Sequence, residues 1–85
     1  MVFVYVLISE IKGLRLYVGM TNNVERRLKE HNEGKQKSTK AYKPWKLFTI
    51  EKFETRKEAR VREKYLKSGS AKERLKDKWS RSSVG

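Results

Sequence analysis

Residues 16–31 of this chain read LYVGMTNNVERRLKEH. Tyr17 closes a short apolar run, Gly19 follows two positions later, and a polar helix-start signal leads into Arg27 and His31. Residues four apart on a helix share a face, so an arginine and the single histidine of the chain point the same way. A hydrophobic core has little use for that pair, whereas a phosphodiester does. The second half adds one carboxylate. Glu63 borders an apolar stripe through Ala59 and Leu66, and it stands among Arg60, Arg62, Lys64 and Lys67. A carboxylate in such a field stays ionised and can hold a divalent cation against a phosphate.

Each of these residues also has an ordinary structural reading. Tyr17 and Tyr5 can be strand aromatics packed on a sheet, Tyr5 the more so because its strand is more apolar. Gly19 can simply end a strand, although glycine also lets another group approach closely. Arg27 can be a solvated helix arginine. His31 lies in line with Val24 and Leu28, so it can be a packing or capping histidine. Glu63 can pair with Lys67 at i+4, worth only about 0.3–0.5 kcal/mol.

The elements that must position these side chains follow from hydrophobic periodicity. Residues 2–8 (VFVYVLI) are too few for a helix and are apolar at both parities, which reads as a strand buried on both faces and central in its sheet. A loop over residues 9–13 leads into a second strand over residues 14–18, making a hairpin. Centred near Ile11, that hairpin sets Tyr5 opposite Tyr17. Asn22 with Glu25 resembles a capping box, opening a helix that runs to about Glu33 and stops at Gly34. Residues 35–43 are lysine-rich with little apolar content and read as a mobile basic loop. Residues 45–53 (WKLFTIEKF) alternate as a half-exposed third strand. Thr55 with Glu58 caps a helix to about Lys67, and Ser70 with Glu73 caps another to about Trp79.

The expected fold is therefore α+β: a three-stranded, mostly antiparallel sheet flanked by about three helices in the order β-β-α-β-α-α. Residues 1–79 form one domain, and residues 80–85 are expected to be a disordered tail.

Composition narrows the chemistry. A chain of 85 residues buries about 60–65% of its unfolded surface, so any site lies on the surface of a thin, two-layer structure. With no cysteine and one histidine, disulfides, thiolate zinc sites and imidazole-rich metal sites are excluded, which leaves a hard cation held by oxygen. There is no signal peptide and no apolar run near the ~20 residues of a membrane span, so a soluble, cytoplasmic protein is expected. The net charge is +12, and residues 1–33 contribute only +1 of it. That asymmetry points to a polyanionic partner, because neutralised phosphates release counterions and drive binding.

Taken together, the motifs resemble the GIY-YIG endonucleases. The two strand motifs of that family appear as Val4-Tyr5-Val6 and Tyr17-Val18-Gly19. Its first-helix arginine is matched by Arg27, the histidine one turn later by His31, and the glutamate of the later helix by Glu63. The similarity runs from residue 2 to about residue 75. It is greatest to the small stand-alone bacterial members, whose lysine-rich loop and Pro-Trp-Lys-Leu strand look like residues 39–48. Val4 stands where the family name has glycine, Val18 replaces isoleucine, and no asparagine follows Asn32 to match one that some relatives carry late in the domain.

The resemblance implies DNA phosphodiester hydrolysis with one Mg²⁺ or Mn²⁺ held by Glu63 and waters. Arg27 would neutralise charge on the non-bridging oxygens. Tyr17, as phenolate, would take the proton of the attacking water, Tyr5 would orient the water or the phosphate, and His31 would position Tyr17 or relay the proton. Ionising a free tyrosine at pH 7 requires roughly 4 kcal/mol of support from nearby cations, so His31 is the alternative base. Lys35, Lys37, Lys40, Lys43, Lys46, Arg60, Lys64 and Lys67 would contact phosphates, giving structure-selective or weakly specific binding. The partners implied are DNA, with RNA as the alternative, and a repair or recombination protein; a monomer or weak dimer is expected, with no membrane association. The competing function is a noncatalytic nucleic-acid-binding module of the same fold.

Overall fold

The computed structural model describes the backbone of residues 1–84 and the side chains of residues 1–80. Three strands, β1 (Val2–Ser9), β2 (Arg15–Thr21) and β3 (Lys46–Phe53), form one sheet in the order β2-β1-β3, with both pairings antiparallel. β1 is central, as its double-sided apolar run requires: Val4, Tyr5, Val6, Leu7 and Ile8 are all buried. The helices are α1 (Val24–Asn32), the single turn α2 (Lys37–Lys40), α3 (Arg56–Leu66) and α4 (Gly69–Val84).

Strand parity divides the core into two layers. Val4, Val6 and Val18 face α3 and α4, where they pack with Ala59, Leu66 and Ala71. Tyr5 and Leu7 face the other way, joining Val24 of α1 and Trp45, with Tyr17, Leu28 and Tyr42 around them. Val4 is thus fully buried and fills the α3/α4 layer.

The hairpin differs from its expected register. Tyr5 pairs with Gly19, and Tyr17 pairs with Leu7. The last pair is Ser9 with Arg15, and Gly13 takes the left-handed turn position at φ +83°, so the hairpin pivots on Lys12. Moving the pivot by one residue moves every partner by two. The tyrosines therefore sit diagonally, with ring centroids 6.2 Å apart.

Two of the three expected caps are also shifted. Asn23, not Asn22, caps α1, accepting the Arg26 N–H at 3.0 Å. Thr21 Oγ1 takes the Asn23 N–H at 3.1 Å, which keeps Asn23 extended and moves the frame one residue on. At α4 the cap is Ser68, whose hydroxyl accepts from Ala71 N at 3.3 Å, in place of Ser70. Thr55 caps α3 as expected, accepting the Glu58 N–H at 3.2 Å. α4 continues past Trp79 to Val84, so the residues expected to be an unstructured tail are helical as far as Val84; Gly85 lies outside the described residues.

The lysine-rich segment is tied down. Thr39 and Trp45 are 2% and 4% exposed. Asn32 clamps the backbone of Trp45 from both sides, donating to its carbonyl at 3.1 Å and accepting its N–H at 2.5 Å. Trp45 Nε1 donates to the Thr39 carbonyl at 2.9 Å, and Ser9 Oγ donates to the Tyr42 carbonyl. Low apolar content suggested a free loop, but buried polar bonds fix its inner side instead.

Candidate active site

The sequence of β1 and β2 places Tyr5 and Tyr17 on the sheet face that α1 covers, and the α1 stripe turns His31 inward between them. His31 is 1% exposed, and its ring lies 4.5 Å from that of Tyr17 and 6.4 Å from that of Tyr5, centroid to centroid. Its Nε2 is 3.4 Å from the Tyr5 hydroxyl, and its Nδ1 is 2.9 Å from Thr39 Oγ1. The half-buried Tyr17 also meets Trp45 edge to face at 6.3 Å, and no hydrogen bond within the described residues engages its hydroxyl.

Gly19 explains how Tyr5 reaches this cluster. A Cβ added there would lie 2.5 Å from the Tyr5 hydroxyl oxygen and 2.6 Å from Cζ. The missing side chain on the edge strand β2 is therefore the slot that accepts the Tyr5 ring. Close approach was legible from the glycine, although the group that approaches is a tyrosine of the chain itself.

Arg27 lies on the same face of α1 as His31. Its positive charge acts on the Tyr5 phenol, and its Nη1 holds Glu30 Oε1 at 3.0 Å. Burial pushes the Tyr5 phenol above the ordinary tyrosine range, partly offset by Arg27. Burial likewise pushes His31 below the usual imidazole range, and the Arg27 charge adds to that, against a smaller opposing effect of Glu30. At neutral pH Tyr5 keeps its proton and His31 is uncharged.

Glu63 approaches from α3, which packs on the opposite sheet face but contacts β2 as well as β1. Its charge is felt at Tyr5, where it disfavours ionisation. The carboxylate is 20% exposed, and Oε2 forms a loose i+4 pair with Lys67 Nζ at 3.7 Å. Tyr5, Tyr17, Arg27 and His31 are thus one cluster, with Glu63 near its edge. No group of three or more His, Cys, Asp or Glu side chains gathers among the described residues, and Glu63 is the carboxylate whose charge acts on Tyr5.

All eight basic residues assigned to nucleic acid are exposed. Lys35, Lys37, Lys40 and Lys43 belong to the segment held against α1, and Arg60, Lys64 and Lys67 share α3 with Glu63. Lys46 reaches Glu10 at a loose 3.9 Å, and Lys35 pairs with Glu33 at 3.4 Å. Sequence reasoning missed Thr39 and Asn32. Their signal was weak: small polar side chains in a polar stretch, recognisable only when the fold brings them to His31 and Trp45.

Residues 1–76 match the GIY-YIG catalytic domain, and the chain belongs to the GIY-YIG family. A GIY-YIG catalytic domain implies nuclease chemistry. Among curated proteins, the chain is 43% identical over 72 residues to the UPF0213 protein CPE1444 of Clostridium perfringens, covering 84% of this chain and 77% of that one. It is 42% identical over 73 residues to the UPF0213 protein SH2523 of Staphylococcus haemolyticus (85% and 89% covered) and 38% identical over 73 residues to the UPF0213 protein YazA of Bacillus subtilis (85% and 72%). No solved structure matches. Among the described residues no helix is long and apolar enough to cross a membrane.

Proposed function

We propose that this chain is a metal-dependent endonuclease that hydrolyses DNA phosphodiester bonds at the Tyr5, Tyr17, Arg27, His31 and Glu63 cluster, with structure-selective or weak sequence preference. The observation that carries the reading is the buried His31 with both ring nitrogens engaged, packed against Tyr17, whose hydroxyl has no hydrogen bond within the described residues. A purely structural cluster gains nothing from an uncommitted phenol stacked beside a buried histidine.

Glu63 suits one Mg²⁺ or Mn²⁺. A hard cation of this kind binds through one or two carboxylates and completes its shell with water and substrate phosphate. Such an ion stabilises charge on the phosphate and the leaving oxygen. Arg27, still able to donate beyond Glu30, neutralises charge on the non-bridging oxygens. Tyr17, once deprotonated to the phenolate, takes the proton of the attacking water and returns to the phenol. His31 is poorly suited to that task, because its ring is buried and both nitrogens are occupied. It positions the two tyrosines instead. Exposed lysines on the 35–43 segment and the basic residues of α3 contact backbone phosphates, which carry no sequence information directly.

The test is cleavage of single-stranded, duplex and branched DNA with Mg²⁺ or Mn²⁺, comparing wild type with Tyr17→Phe and His31→Ala. Loss of cutting in Tyr17→Phe at undiminished DNA binding supports the assignment. Tyr17→Phe retaining most activity while His31→Ala loses it would exchange the two roles. Salt-sensitive binding without cutting of any substrate would replace the enzyme with a binding module.

A further inference from the structure

The hydrogen bonds around His31 have a determinate direction, which the proton inventory of the cluster supplies. Arginine donates and never accepts. Tyr5 is 1% exposed, and among the described residues the one hydrogen-bond partner of its hydroxyl is His31 Nε2, with the Arg27 charge also acting on the phenol. The hydrogen of Tyr5 can therefore go only to Nε2, which must be unprotonated. A neutral imidazole with a bare Nε2 carries its hydrogen on Nδ1. That hydrogen needs an acceptor, and the one within reach is Thr39 Oγ1 at 2.9 Å. Thr39 in turn directs its own hydrogen to the Gln36 carbonyl, at 3.5 Å. The chain of donors runs from Tyr5 through His31 and Thr39 to Gln36.

We propose that Thr39 is a positioning residue, whose hydroxyl fixes His31 as the Nδ1–H tautomer so that Nε2 accepts from Tyr5 and the phenol oxygen faces Arg27. The catalytic part of this proposal rests on the nuclease reading. With the opposite tautomer, Nε2–H would donate to the Tyr5 oxygen, and the Tyr5 hydrogen would have no acceptor among the described residues. A buried polar group left in that state destabilises the arrangement and turns the phenol away. Outer partners of this kind act by orienting a ring and setting its tautomer. Thr39 is also the buried residue of α2, so the turn that carries Lys37 and Lys40 towards solvent carries the group that sets the histidine.

His31 is the only histidine, so its imidazole signals in a ¹⁵N-labelled chain have one assignment. Long-range ¹H–¹⁵N correlation spectra near neutral pH should show the Nδ1–H tautomer in wild type and in Thr39→Ser. Thr39→Val, which keeps the shape and loses the hydroxyl, should shift the ring to Nε2–H or to a mixture. In cleavage assays Thr39→Val should lower kcat by about 10–100-fold with KM little changed, and Thr39→Ser should restore it. An Nε2–H ring in the wild type overturns the proposal without any assay of activity, even if Thr39→Val fails to fold. So does a Thr39→Val chain with an altered tautomer and an unaltered kcat. A wild type with the Nδ1–H ring that cuts no DNA instead overturns the nuclease reading, and the positioning role falls with it.

Discussion

Replacing Gly19 with alanine tests the geometry that admits Tyr5 to the cluster. The new Cβ would lie 2.5, 2.6 and 2.9 Å from Oη, Cζ and Cε1 of Tyr5. The nearest of these is about 0.9 Å short of ordinary van der Waals contact, so the ring must move by roughly that much. It has little room to do so, because Tyr5 is 1% exposed and packed with Leu7, Val24 and Trp45. Overpacking of this kind costs about 1–3 kcal/mol. Displacing the hydroxyl also lengthens a bond to His31 that already stands at 3.4 Å, and losing it costs about 0.5–1.5 kcal/mol more. A total of about 1.5–4.5 kcal/mol corresponds to a fall in Tm of roughly 8–25 °C for a domain of this size. Under the proposed function, a 1 Å misplacement also lowers cleavage by about 100-fold. Circular-dichroism melts and a cleavage assay measure both. Gly69→Ala is the control: its Cβ meets nothing within 4 Å at the start of α4, and its melt should stay near wild type. A Gly19→Ala chain that melts with the wild type and keeps its activity would refute the slot.

Asn32→Ala removes the clamp on Trp45 and should cost about 1–3 kcal/mol, with faster tryptic cleavage at Lys37 and Lys40; an unchanged cleavage rate would mean that the segment is held by something else. His31 resists protonation in the fold because of burial and then the Arg27 charge, whereas the unfolded chain takes up its proton near pH 6.5. Its contribution to stability is therefore present above about pH 6.5 and is lost as the pH falls through and below that value towards the depressed folded pKa. Melts from about pH 7.5 to 5.5 should show this fall in the wild type and a flatter profile in His31→Gln; equal profiles would contradict it. Replacing Lys35, Lys37, Lys40 and Lys43 together with alanine should reduce the slope of log affinity against log salt on duplex DNA by up to about 3.6. An unreduced slope would move the DNA to another surface.

What was legible in the sequence followed from strong local signals. The double-sided apolar run of residues 2–8 gave the central strand, the alternation of residues 45–53 gave the edge strand, and Thr55 with Glu58 gave the α3 cap. The cluster was legible because Arg27 and His31 share a helix face and because the motif residues match a known family in order and spacing. Register was not legible. A five-residue hairpin loop leaves the pivot open by one position, and Gly13 settles it only through its backbone conformation. The ordered inner side of residues 35–45 was hidden for a different reason. Thr39 and Asn32 are held by polar bonds to residues distant in sequence, which leave no hydrophobic periodicity to read. Glu63 shows its ion-pair reading in the loose contact with Lys67, and its charge also bears on Tyr5.

The most direct test of the central claim is cleavage by Glu63→Gln, which keeps the shape of the side chain and removes its charge. The account predicts that wild type cuts at least one of the branched, single-stranded or duplex substrates when Mg²⁺ or Mn²⁺ is supplied and stops when the ion is chelated. Glu63→Gln should fold and bind the same DNA with undiminished affinity, yet cut it at least about 100-fold more slowly. A Glu63→Gln chain that cuts at the wild-type rate, or a wild type whose cutting is indifferent to chelation, would contradict the account.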